Sequence, residues 1–212
     1  MKKVVLALAL ATLAMPAYAD DFSGSWFIRA GIADIDLSHQ LSLTVGGQAV
    51  PGAALKFHQV YTPLAEIGRT VAEDWAVVAT LGLPPTTSAY GGGSIAPFGK
   101  LEGTTFGPGA VTVQYQPIHD GFVRPYVGAG ISYMIVFNTT SAAVQNAKLS
   151  NDLAPVLEVG SDFALSEQYG LFLEAKKSFL ESNTSGTFGG NPLAGKASLD
   201  PWVFAVGATA HF

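Results

Sequence analysis

The sequence predicts an all-β fold, an eight-stranded antiparallel transmembrane β-barrel with long outer loops and short periplasmic turns. Three observations predict it. Segments with period-2 alternation put bulky apolar residues on one face and small, polar or charged residues on the other, whereas a soluble barrel turns its larger apolar side chains inward. Eight such segments occur, an even number, and the connections between them alternate long and short. Mean hydropathy is +0.32 with only 13% charged residues, yet past the N-terminus no stretch approaches the roughly 18 uninterrupted apolar residues of a spanning helix.

Lys2 and Lys3, an apolar run from Val4 to Ala14, and Ala17-Tyr18-Ala19 read as a secretory signal cut before Asp20. The chain therefore divides into residues 1–19, a cleaved signal peptide, and 20–212, a single barrel domain without repeat or linker. Removing Lys2 and Lys3 leaves nine of the 11 basic residues against 16 acidic ones, so the net charge moves from -5 to -7. That balance argues against nucleic acid as a partner. The chain has no cysteine, so disulfides do not hold it.

The first strand, 24–33, turns Trp26 toward lipid and Arg29 inward. The second, 55–71, and third, 75–83, place Leu64, Glu66 and Val78 inside and meet at the short turn 72–74. The fourth, 104–116, closes on Tyr115. In the fifth, 124–137, Val127, Ala129, Ile131, Tyr133, Ile135 and Phe137 alternate with Tyr126, Gly128, Gly130, Ser132 and Met134. The sixth, 153–165, and seventh, 169–181, flank the short turn 166–168. The eighth, 201–212, carries Trp202, Phe204, Val206 and Phe212 on one face. Ending on Phe212, it suits recognition by barrel-assembly machinery. The connections 34–54, 84–103, 138–152 and 182–200 are long and rich in Gly, Ser, Thr and Asn, the composition of exposed loops. Trp26, Trp75, Tyr115, Tyr133, Phe179 and Trp202 fall near strand ends on the lipid face, where an interfacial girdle belongs.

Charges fall on the lumen parity. Arg29, Arg124 and Lys176 oppose Glu66, Glu158, Asp162 and Glu174, and buried charges persist only when paired. The interior of an eight-stranded barrel is barely wider than its own side chains, so these seven residues are expected to plug the lumen toward the periplasm. Arg69 and Lys177 break the pattern by falling on the lipid face: either each sits at a rim or a bulge shifts the register. Toward the outer end Leu64, Val78, Met134, Val156 and Leu180 give the lumen an apolar lining. Pro63, Pro108 and Pro155 lie within three strands, where each removes a ladder donor; they are the candidates for a lateral gap in the wall.

Trp26-Phe27-Ile28-Arg29-Ala30-Gly31, Val111-Thr112-Val113-Gln114-Tyr115, Arg124-Pro125-Tyr126-Val127-Gly128-Ala129-Gly130 and Asp200-Pro201-Trp202-Val203-Phe204 together resemble the OmpW family of outer-membrane proteins, which includes alkane-uptake channels. The resemblance covers nearly all of residues 20–212. It implies an integral barrel of the bacterial outer membrane, surrounded by outer-membrane lipids. It further implies passive uptake of small hydrophobic molecules, which enter an apolar vestibule and leave laterally into the membrane, with no cofactor and no metal.

Three other readings compete. A lipid-modifying enzyme needs a base within reach of a nucleophile, and His39, His58, His119 and His211 show no such spacing. A structural or adhesive barrel without transport would fill its lumen and use its loops. A soluble lipocalin-like barrel conflicts with inward charges.

Overall fold

The structure, a computed structural model, describes residues 25–212; the predicted signal peptide at 1–19 lies outside the described residues. Its strands, in chain order, are β1 (Trp26–Asp36), β2 (Gln40–Val45), β3 (Gln48–Ala49), β4 (Ala53–Lys56), β5 (Val60–Ala72), β6 (Trp75–Gly82), β7 (Thr86–Gly93), β8 (Lys100–Tyr115), β9 (Val123–Ser141), β10 (Gln145–Leu149), β11 (Asp152–Ala164), β12 (Tyr169–Ser178), β13 (Glu181–Phe188), β14 (Asn191–Ser198) and β15 (Trp202–His211). A 3-10 turn at Ala96–Phe98 is the one helical element among the described residues.

Eight strands close the wall. β1 pairs with β5 and β15, β5 with β6, β6 with β8, β8 with β9, β9 with β11, β11 with β12, and β12 with β15, all antiparallel. Each predicted segment corresponds to one of them, and the predicted short turns join them at one end. Closure leaves no strand edge facing hydrocarbon, where an unpaired amide would cost several kcal/mol. Ile32, Val111, Ile131, Leu157, Leu173 and Val206 lie exposed on the outside, while Phe27, Arg29, Glu66, Tyr126 and Phe172 are buried within. In water such a belt would be an aggregation surface; in a bilayer it is the solvated face.

The two outward cations lie at the rims. The Lys177 ammonium donates to the Asp200 carbonyl and sits 5.3 Å from the Trp202 ring. The β11–β12 register passes through Leu157–Lys177 without a shift, so no bulge is involved. Arg69 lies 5.4 Å from the Trp26 ring at the opposite rim. Trp75 and Tyr115 meet beside it with ring centres 5.0 Å apart.

The long connections are not loops, which corrects the sequence-based expectation for 34–54, 84–103, 138–152 and 182–200. They contain β2, β3, β4, β7, β10, β13 and β14, and β8 and β9 extend into the same region. These strands pair in the order β10–β13–β14–β2–β4–β7 and join the wall through β7 and β8. They form a second storey on the barrel. Here the alternation reverses: Leu37, Leu55, Leu101, Phe106, Leu193 and Leu199 are buried inside, while Gln40, Ser42 and Thr44 are exposed. That is the pattern of a sheet with water on its outer face. β9 has 19 residues, a height of roughly 50 Å at the usual rise and tilt, against an apolar band of about 25 Å. The wall therefore changes solvent, and its alternation changes with it.

Candidate functional site

Below the second storey, charged side chains cross the lumen. Arg29 on β1 donates from Nη2 to Asp162 Oδ2 at 2.6 Å, from Nε to Asp162 Oδ1 at 3.1 Å, and from Nη1 to Glu66 Oε2 at 3.2 Å. Lys176 on β12 holds Glu66 Oε1, Glu158 Oε2 and Glu174 Oε1 at 2.8, 2.7 and 2.6 Å. Glu66 thus bridges the two cations. Thr80 donates to Glu66 Oε1 at 2.7 Å, the Tyr126 hydroxyl donates to Glu174 Oε2 at 3.1 Å, and the Arg29 guanidinium stacks 4.4 Å from the Tyr126 ring. All these ions are buried, so each lost partner would leave an uncompensated charge.

Glycines in the wall make the layer possible. A Cβ at Gly128 would lie 2.3 Å from Glu158 Oε1, and one at Gly160 would lie 2.5 Å from the Tyr126 hydroxyl. Of the predicted plug residues, Arg29, Glu66, Glu158, Asp162, Glu174 and Lys176 come together. Arg124 does not join them. It pairs in register with Asp162, whose two carboxylate oxygens are already bound by Arg29, and its Nε instead donates to the Gly121 carbonyl at 3.3 Å at the periplasmic mouth.

Directly above the ionic layer lies a pocket of about 70 Å³ lined by Leu64, Met134, Val156 and Leu180, as the parity predicts, together with Lys176 and Ser178. Val78 is a correction. It is buried with Phe27 and Ala76 on the periplasmic side of the charges, because it stands opposite Gly68, nearer the turn than the Glu66–Thr80 pair. Parity assigns a face but not a height.

The second storey encloses a larger chamber of about 280 Å³, lined chiefly by apolar side chains including Leu41, Leu55, Phe57, Ile95, Leu193 and Phe188. The two spaces adjoin, sharing Leu37, Phe106, Met134 and Leu199. Sequence reasoning missed this chamber. Leu41-Ser42-Leu43-Thr44-Val45 does carry the alternation, but five residues among Gly, Gln and Pro were outweighed by turn chemistry.

The three prolines differ in their setting. Pro63 faces outward in an unbroken β1–β5 register, opposite Ile32, and its carbonyl accepts from Leu83 N at 2.9 Å. At Pro108 the β6–β8 pairing has ended with Leu81–Gly109, and pairing resumes where Phe106 N donates to Pro85 O at 3.2 Å. At Pro155 the β11–β12 register has ended with Val156–Ser178. Phe179 N donates to Pro155 O at 3.2 Å, and beyond it the Asp152 carboxylate, rather than a carbonyl, accepts from Glu181 N at 2.7 Å. Exposed Leu153 and Phe179 flank this seam.

The profile of the OmpW family matches residues 22–212. The chain belongs to the OmpW family. It is similar to the dibenzothiophene metabolism operon protein PahQ of Pseudomonas aeruginosa, with 26% identity over 211 residues, covering 100% of this chain and 99% of the relative. It is 27% identical to outer membrane protein AlkL of Ectopseudomonas oleovorans over 192 residues, covering 89% of this chain and 83% of the relative. Among solved structures, OprG from Pseudomonas aeruginosa superposes with a TM-score of 0.82 at 22% identity, covering 89% of this chain and 96% of that one. AlkL in DMPC bilayers superposes with a TM-score of 0.74 at 26% identity, covering 93% and 95%. This OmpW-family chain is an integral, non-enzymatic barrel of the bacterial outer membrane. Its histidines are scattered: His119 lies 2.9 Å from Asp74 in the periplasmic turns, His211 packs on Phe27, and His39 and His58 pack on Phe57 and Tyr90.

Proposed function

We propose that this OmpW-family barrel takes small hydrophobic molecules from outside the cell into the chamber of its second storey, passes them to the pocket above the ionic layer, and releases them sideways into the outer membrane near Pro155. Apolar volume stacked on a charged layer that closes the axis is the observation that carries this most directly. A solute drawn in by removal of its surface from water, at about 25 cal/mol per Å², meets buried ions below and an incompletely paired seam beside it. Transport is then passive and needs no cofactor. PahQ is named for a dibenzothiophene metabolism operon, and dibenzothiophene is a planar apolar molecule of the class such a chamber suits.

Uptake of a radiolabelled apolar aromatic by cells with and without the protein tests the reading. Loss of the protein is expected to slow uptake; unchanged uptake would leave a structural or adhesive barrel. Pro155→Val restores an amide donor at the seam. It is expected to slow uptake severalfold at equal barrel abundance in the outer membrane, and a variant as fast as the parent would remove the exit from this place.

A further inference from the structure

The chamber has one anomalous wall residue. Glu102 on β8 is 8% exposed, and its Oε2 is buried without a hydrogen-bond partner. It points inward on the same alternation as Thr104 and Phe106, and the β7–β8 register shift between Ala89–Glu102 and Tyr90–Lys100 turns Leu101 to the interior beside it. Every other side chain lining the chamber is apolar or a hydroxyl, such as Thr87, Thr104, Ser182 and Thr184. Lys56, Tyr90, Lys100, Tyr133, Lys148 and Lys196 on the surrounding strands are absent from the lining, as are His39, which stacks on Phe57, and His58, which packs on Tyr90; Lys196 is engaged with Glu181 at 2.6 Å on the outside.

A buried carboxyl oxygen without a partner is costly to keep, and among the described residues no donor meets Glu102 Oε2. It belongs to the second storey, remote from the ionic layer, and plays no part in closing the axis. Burial pushes it up to about 7, so at neutral pH it is divided between acid and anion. An ionised carboxylate accepts hydrogen bonds and donates none, which makes its complement a cationic donor.

The geometry points to the second-storey chamber as a binding site for amphiphilic cations, hydrophobic molecules bearing one ammonium or protonated nitrogen, with Glu102 as their counter-ion. This rests on the proposal that the chamber admits hydrophobic solutes and gives that site a preference among them. The apolar lining receives the hydrocarbon part and the carboxylate the head, in a volume just below the usual range of about 300–1,000 Å³ for small-molecule sites. Charge-assisted hydrogen bonds are about twice as strong as neutral ones, so the head group adds selectivity beyond what chain burial gives.

Hexylamine, hexanol and hexane, titrated into the full barrel in lipid nanodiscs, separate the alternatives, with the methyl resonance of Met134 reporting occupancy. Hexylamine is expected to bind about tenfold more tightly than hexane at pH 8, and Glu102→Gln to abolish that advantage while leaving hexane binding within twofold. In the parent barrel the advantage should also disappear at pH 5, with the carboxyl protonated, a measurement that does not depend on any variant. Equal affinities for hexylamine and hexane, or equal losses for both in the variant, would overturn the assignment while leaving hydrophobic uptake standing. If none of the three ligands perturbs Met134, both proposals fail together.

Discussion

Lys176 is the most heavily burdened side chain in the lumen, with three carboxylates within 2.8 Å. Replacing it with Met leaves four buried carboxyl groups and Arg29 as the one cation among them. Removing one partner of a buried ion cluster costs about 3–5 kcal/mol. Lys176→Met should lose stability on that scale, read from urea unfolding in vesicles; a loss under 1 kcal/mol would mean that the layer is wetter than its burial indicates. Glu102 acts in the opposite sense. Because its folded carboxyl titrates at about 7 and an unfolded one near 4.3, the folded chain retains a proton that the unfolded chain has released between those values. Stability therefore falls as pH rises from about 4 to 7 and is level above, by at most about 4 kcal/mol. Glu102→Gln cannot ionise, so its stability relative to the parent should improve between pH 4 and pH 8, and parallel pH curves would refute the effect. Arg29, Glu66 and Lys176 were legible in the sequence because a charge on the lumen parity has one place to go. Arg124 and Val78 were not, because partner choice and height depend on strand stagger, which alternation does not encode.

At the level of strands, the legibility of the wall followed from the contrast between its faces. β9 and β15 alternate large apolar residues with glycine, serine and alanine, and their spans were read to within a few residues. β2, β13 and β14 were read as loops because their outward residues are Ser, Thr, Asn and Lys, and their inward leucines are few. Gly160 gives the wall a testable constraint. Its missing Cβ leaves room for the ring of Tyr126, its register partner on β9, and a Cβ there would also lie 2.8 Å from the Leu173 carbonyl. Gly160→Val should displace Tyr126 from Arg29 and cost about 1–3 kcal/mol as an overpacked site, with the Tyr126 ring resonances shifting in step. Full stability with unmoved resonances would show that the wall yields instead.

Across the whole molecule, a closed barrel and the sheet standing on it have opposite alternation and share one wall. The lower is held by lipid outside and ions inside, the upper by water outside and leucines inside. Replacing β13 and β14 (181–198) with a short turn should therefore leave a membrane-inserted eight-stranded barrel that no longer binds hydrophobic ligand above the charges; failure of the shortened chain to insert would show that the upper storey is needed to close the lower. The eight-stranded ring was evident from the rhythm of connections. The second storey was not, because its short hairpins are tied together through partners distant in sequence, as β14 is to β2. The ionic layer has one more consequence. With Phe27, Arg29, Gln114, Tyr126 and Phe172 fully enclosed across the bore, a cell can display this protein densely without becoming leakier to sugars, salts or water-soluble antibiotics.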